Sequence, residues 1–257
     1  MATRIVTALE ERSGGRVARV TLDNPAKLNC LDAAAILALT DSLRALYADE
    51  LLRAVVLSGA GPKAFCGGVN VEDLGATTQA TAREGITRLY HCIRAVSECP
   101  VPVIARLNGY CIGGALELAA ACDLRVAADH ARFGMPEVRL GIPSVIQAAL
   151  LPRLMGAGRA RWLLLTGELI DAAEALRWGL VERVVPMNLL DAEVDTALDA
   201  ILAGGALAIQ AQKRLNQDYE ELPLAQSIAA SIDEFEAAYA TGEPARLIGE
   251  YLSRRRK

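Results

Sequence analysis

Glu117 lies in NGYCIGGALELAAACD (residues 108–123), preceded by Gly113, Gly114 and Ala115 and flanked by Leu116, Leu118, Ala119 and Ala120. No cation is near it in sequence. If the glycines open a helix and the apolar residues continue it, Glu117 falls on the first turn of an element bound for the interior. An unpaired carboxylate there costs on the order of several kcal/mol unless it protonates or finds partners. A second acid, Glu137, follows Pro136 in ARFGMPEVRLGIP (131–143). Taken alone it reads as an ordinary first-turn acid, because proline suits the first position of a helix. As a pair, the two carboxylates are the equipment for activating water and moving a proton.

Two glycine-rich stretches supply a complementary chemistry. In VVLSGAGPKAFCGGVN (55–70) a buried strand runs into a loop. Gly59 to Ala64 fits a dinucleotide fingerprint of the form G-x-G-x-x-A, but such a turn must open directly into a long helix, and Cys66-Gly67-Gly68-Val69 interrupts helix within a few residues. Glycines in this number read better as bringing backbone amides close to a ligand, with an ordinary glycine loop as the alternative. Gly113-Gly114 stands after the apolar run 101–107 and at the start of the Glu117 helix. Free amides at a helix start bind anionic oxygen, glycine leaves room to reach them, and the helix dipole adds partial positive charge. The amide of residue 114 is therefore a candidate oxyanion donor.

The elements that must hold these residues follow from periodicity. Residues 3–8 and 16–22 alternate apolar and polar around Ser13-Gly14-Gly15, a hairpin pattern. The runs 53–58, 101–107 and 123–128 are short and β-branched and are separated by helical stretches, which predicts an α/β fold with parallel strands and crossovers. One helix shows Ile36, Leu39, Leu43 and Leu46 on a face, another Ile86, Leu89, Tyr90, Ile93 and Val96. From about residue 144 the strand signal is reduced to GLVERVVP among helices. Leu224, Ile228, Ile232, Phe235 and Tyr239 form a late stripe that either a partner subunit covers or its own domain does.

Bulk properties narrow the function classes. At 257 residues the chain buries a full core, and no apolar run is long enough to span a bilayer. The start lacks a secretory pattern, so a soluble, cytoplasmic protein is expected. A net charge of -4 offers no general attraction to nucleic acid or anionic membrane. The basic tail, Arg254 to Lys257, reads as a solvated end of the last helix. The six cysteines show no C-x-x-C pair or His at ligand spacing, which favours packed thiols over a metal site. His91 reads as a helix-surface residue, His130 as a loop residue, and Lys213 as part of a solvated helix face, with reach to a ligand as the alternative.

With these motifs assembled, the chain resembles the crotonase, or enoyl-CoA hydratase/isomerase, superfamily. The resemblance runs through LDNPAKLNCLD (22–32), KAFCGGVN (63–70), NGYCIGGALELAAACDLRVA (108–127), FGMPEVRLGIP (133–143) and GLVERVVP (179–186). It implies a ClpP/crotonase-like spiral of ββα units over residues 1–195 and a helical oligomerisation region over 196–257, assembled as a homotrimer or a dimer of trimers. It also implies an acyl-CoA substrate, with coenzyme A arriving on that substrate and no further cofactor or metal. The backbone amides of Val69 and Gly114 would hold a thioester enolate. Glu117 would draw the proton from water attacking C3, and Glu137 would serve C2. Lys27, Ala64, Gly67, Gly68, Asn70 and Ser144 would bind substrate or CoA.

The resemblance has departures. Ser144 stands where the hydratase pattern has a glycine, in a segment about one residue shorter, and Asn70 replaces the common aspartate. Val69 replaces the more common alanine, narrowing the space beside the sulfur. Hydration of a 2-enoyl-CoA is the leading expectation because both glutamates are present. An isomerase, lyase or hydrolase using the same oxyanion site, and a non-catalytic CoA- or RNA-binding scaffold, are the alternatives.

Overall fold

The computed structural model describes residues 2–255. The hairpin β1 (Arg4–Arg12) and β2 (Gly15–Asp23) comes first, followed by helix α1 (Ala33–Leu46). A first spiral turn comprises β3 (Leu52–Gly59), β4 (Ala64–Cys66), α2 (Val71–Ala76) and α3 (Gln79–Ser97). The second is β5 (Val103–Leu107), β6 (Tyr110–Ile112) and α4 (Gly114–Ala120). The third is β7 (Leu124–Ala128) and β8 (Arg132–Gly134), followed by 3-10 turns at Pro136–Leu140 and Ile146–Leu150, α5 (Leu151–Met155) and α6 (Ala157–Thr166). Then come β9 (Leu169–Asp171), α7 (Ala172–Trp178) and β10 (Arg183–Val185). Helices α8 (Leu190–Ala203), α9 (Ala206–Glu221), α10 (Leu224–Ala240) and α11 (Glu243–Arg255) end the chain.

Each turn sends its two strands to different sheets. One has the order β1-β2-β3-β5-β7-β10, parallel beyond the first hairpin; the other is β4-β6-β8-β9, parallel except at β9. The residues of β3 are almost all buried, which is why it reads as a continuous apolar run rather than an alternating one. Helix α1 begins where the Asp32 carboxylate accepts from the Ala35 amide at 2.9 Å. Its predicted face is the buried one. On α3 the inner face is Leu89, Cys92, Ile93, Ala95 and Val96, and Ile86 lies at its exposed margin. Small Cys92 and Ala95 widen the buried arc beyond the stripe that the larger residues mark.

The fold positions the site through the smaller sheet. The loop carrying Val69 leaves the carboxyl end of β4, the Gly113-Gly114 turn leaves β6, and Glu137 follows β8. These three strands are adjacent and parallel, so their carboxyl ends open on the same side. Crevices beyond such strand ends are where open α/β sheets bind ligands. At three residues each, β4, β6 and β8 are too short to carry a periodic signal.

Gly59 leads into β4 and not into a helix, which removes the dinucleotide turn. The division expected after residue 195 falls inside α8, an unbroken helix whose Leu190, Val194, Leu198 and Leu202 pack against Val17, Ala54 and Val56 of the larger sheet. The stripe of α10 does not pack back on its own chain: its five residues are between 52% and 77% exposed. Of the basic tail, Arg254 and Arg255 end α11, while Arg256 and Lys257 lie outside the described residues. Among the described residues, no helix is long and apolar enough to cross a membrane.

Lys213 is neither a ligand-reaching residue nor part of a solvated face. Its side chain is 5% exposed and donates to Asp123 Oδ2 at 2.7 Å and to the Val101 carbonyl at 3.0 Å. Asp123 Oδ2 also accepts from the Val103 amide at 2.7 Å, so the pair ties α9 to the start of β5. Removing one partner of a buried pair leaves an uncompensated charge. Lys213→Met is therefore expected to lower unfolding stability by about 3 kcal/mol, read as a lower urea midpoint at unchanged slope.

Candidate active site

The loop after β4 is pinned to the segment before α1. Gly67 N donates to Leu28 O, Leu31 N to Gly68 O and Asn70 N to Leu31 O, each at 2.8 Å. This parallel bridge uses the residues on either side of Val69 and leaves its own N–H pointing away. Gly113 N donates to Gly134 O at 2.8 Å, and Gly114 is the first residue of α4, whose amide has no intrahelical acceptor. Among the described residues, neither the Val69 nor the Gly114 amide donates a hydrogen bond. The two loops touch: a Cβ on Gly114 would lie 3.3 Å from Val69 Cγ2. A Cβ on Gly68, at φ +99°, would lie 2.7 Å from the Ile112 carbonyl and 4.0 Å from Gly114 N. Glycine at 68 is what lets the loops approach.

Two asparagines with no exposed surface hold the turn that precedes β4. Asn29 Nδ2 donates to Ala60 O at 3.0 Å and Ala64 O at 2.9 Å, while its Oδ1 accepts from Asn24 N at 2.9 Å. Asn108 Nδ2 donates to Gly59 O at 2.9 Å and Ala64 O at 3.0 Å, and its Oδ1 accepts from Gly59 N at 3.3 Å. Buried carbonyls in a turn need such donors. Neither asparagine carries a role in the sequence patterns above. A polar residue next to glycine at the end of an apolar strand, as at Asn108-Gly109, is the signal that was present.

Glu117 occupies the fourth residue of α4 and is 3% exposed. Its Oε1 accepts from the Ala148 amide at 3.1 Å. Burial, and then the negative charge of Glu137, push its carboxyl up to about 8, with the Ala148 hydrogen bond opposing. Glu137 is half-buried in the 3-10 turn behind Pro136. Ser144 Oγ donates to its Oε2 at 2.9 Å. Its Oε1 lies against Gly113, where a Cβ would be only 2.5 Å away. Glycine at 113, at φ +59°, thus makes room for the second acid. The structure brings the two acids and the two amides to one place: Glu137 contacts the residue that precedes Gly114, and Glu117 lies one helical turn beyond it.

The other predicted residues divide. Gly67 lines an outer cleft of about 290 Å³ with Leu28, Tyr110, Ile112, Pro136 and Arg139. Lys27, next in sequence to the lining residue Leu28, is exposed and pairs with Glu72 at 3.5 Å. Ala64 is buried, and its carbonyl accepts from Asn29 and Asn108, so it helps to hold the loop. The side-chain oxygen of Asn70 accepts from Glu72 N at 2.7 Å and caps α2. A larger cavity of about 400 Å³ lies between α3, the end of α4 and α9, lined by Arg94, Asp123 and Lys213 among others. It contains neither acid, so its size does not make it the reaction site.

Comparison with known proteins bears on the whole chain. Residues 12–256 match the sequence profile described as enoyl-CoA hydratase/isomerase. The chain is 32% identical over 242 residues to crotonyl-CoA hydratase of Syntrophomonas wolfei, covering 94% of this chain and 93% of that protein. It is 36% identical over 220 residues to (E)-benzylidenesuccinyl-CoA hydratase of Thauera aromatica, covering 84% of each. The crystal structure of enoyl-CoA hydratase from Bacillus anthracis superposes with a TM-score of 0.91 at 29% identity, covering 96% of both chains. With a spiral of strand pairs and helices, and a profile match from one end of it to the other, this chain belongs to the enoyl-CoA hydratase/isomerase family of the crotonase superfamily.

Proposed function

We propose that the protein is a hydro-lyase that reversibly adds water across the C2–C3 double bond of a 2-enoyl-CoA, through a thioester enolate. The observation that carries this reading is the meeting of two carboxyl groups with two undonated amides at adjacent strand ends. The amides of Val69 and Gly114 are assigned to the thioester oxygen. They are fixed by the fold before substrate arrives, and one such donor is worth about 3 to 4 kcal/mol of barrier in a water-excluded site.

Burial, and then the neighbouring Glu137, raise the Glu117 carboxyl to about 8, which makes its ionised form a stronger base toward water than an ordinary carboxylate. Two carboxyl groups side by side are the combination that addition of water needs: one takes a proton from water while the other supplies one at carbon. In this reading Glu117 is the base toward the water that attacks C3, and Glu137 is the donor at C2. Coenzyme A enters as part of the substrate, at the outer cleft beside Gly67 and Lys27. No further cofactor is part of this reading. The exposed stripe on α10 supports assembly as a homotrimer or a dimer of trimers, and six free thiols, five of them buried, support a reducing cytoplasmic setting.

Incubation with crotonyl-CoA and a panel of longer, branched and aromatic 2-enoyl-CoAs is expected to give products heavier by one water. Products of unchanged mass would identify an isomerase instead, and no turnover on any member would remove the hydratase reading. Glu117→Gln and Glu137→Gln should each lower kcat by about 100-fold or more.

The raised Glu117 carboxyl also predicts a stability effect. Between pH 4.5 and 8 the folded state keeps a proton that the unfolded state has released, so stability falls as pH rises through that window. The loss is at most about 1.4 kcal/mol per pH unit and is absent below the window. Glu117→Gln cannot ionise and still accepts from Ala148. Its melting temperature is expected to match wild type near pH 4.5 and to exceed it increasingly toward pH 8, so a constant difference would contradict a buried, titrating Glu117.

A further inference from the structure

Ser144 has a contact that its place in the sequence does not announce. The chain turns sharply behind Glu137: Gly141, at φ +77°, ends the 3-10 turn, and Ile142 N donates back to Glu137 O at 3.2 Å. That return brings Ser144 over the Glu137 side chain, where its Oγ donates to Oε2 at 2.9 Å. The other carboxyl oxygen, Oε1, faces Gly113 and so the side of the pocket where the Gly114 amide lies.

We infer that Ser144 is a positioning residue for Glu137, holding Oε2 and leaving Oε1 as the oxygen that exchanges a proton with C2 of the acyl group. The inference rests on the reading of the site given above. A carboxyl group has two oxygens of equal basicity and a free torsion about its last bond. A hydroxyl that donates to one of them makes the two unequal and fixes the plane. The proton then adds to the oxygen that receives no hydrogen bond. In the step concerned, the C2–H bond breaks, the proton moves to Oε1, and the electron pair passes into the thioester as an enolate; the reverse returns a proton to C2. A glycine at 144, as in the hydratase pattern, has no hydroxyl to offer, so this device belongs to this chain's own sequence.

The test uses two reactions of the full-length enzyme: hydration of crotonyl-CoA, and exchange of the C2 protons of butyryl-CoA in D2O, which reads proton transfer without addition of water. Ser144→Ala is expected to lower kcat about 10-fold in both, with KM within about twofold, because the tether touches the acid and not the substrate. Ser144→Thr keeps the donor and should stay within about threefold of wild type. In a Glu137→Gln background, Ser144→Ala should change the rate less than about twofold, since coupled residues do not add. Exchange by Ser144→Ala within twofold of wild type, or an equal loss in both backgrounds, overturns the inference. A wild type that exchanges but does not hydrate removes the hydratase reading while the Ser144 comparison stands, and a wild type that does neither overturns both.

Discussion

The carboxyl group of Glu117 is almost completely removed from water and receives one hydrogen bond, from the backbone amide of Ala148. A carboxylate in that position, with Glu137 close enough to repel it, stays protonated to a pH well above its ordinary range. The remainder of the site is arranged around this condition. The helix that carries Glu117 is apolar because it must be buried, and buried because its first residue has to present an amide beside the loop after β4. Stability is given up at neutral and basic pH for a group that is chemically useful only when it is poorly solvated.

One short segment serves both acids. Between residues 141 and 148 the chain supplies Ser144 Oγ to Glu137 and Ala148 N to Glu117. Between those two contacts Ile146 adopts φ +47°, a left-handed conformation that a β-branched side chain rarely accepts and that costs on the order of 1–3 kcal/mol. The turn it makes carries the chain from one carboxyl to the other. Strain of this kind persists only where the surroundings hold it, and here the 3-10 turn at Ile146–Leu150 and the buried Ala148 do so.

The amide pair depends on a different part of the molecule. Asn29 and Asn108 satisfy the carbonyls of the turn before β4, the Leu31 bridge fixes the loop after it, and glycine at 68 removes the side chain that would block the approach. Apart from Gly68, none of these residues is assigned contact with substrate. Their work is to leave two N–H groups unused in a region where nearly every buried backbone group is paired. Lys213 and Asp123 act at longer range, tying α9 to the strand that leads into β6 and so to the base of α4.

What the sequence by itself determined was whatever is written in periodic or local chemistry. The continuous apolar run of β3, the alternating hairpin of β1 and β2, the stripe of α1, and an acid stranded in the apolar start of α4 were all legible, because burial of a long element leaves a pattern along it. The glycines marked where the backbone had to come close to something, and together these motifs carried the family. The strands β4, β6 and β8 left no such pattern, since three residues cannot establish a period, and they are the elements that set the two acids and two amides side by side. Lys213 read as a surface residue because its partner is 90 positions away. The Ala148 amide and the Ser144 hydroxyl were invisible as partners of the acids, for a backbone N–H has no residue type and a serine looks alike wherever it points. Tertiary structure decided those contacts, because one joins segments that the spiral brings together and the other depends on a turn whose path the residue types do not write.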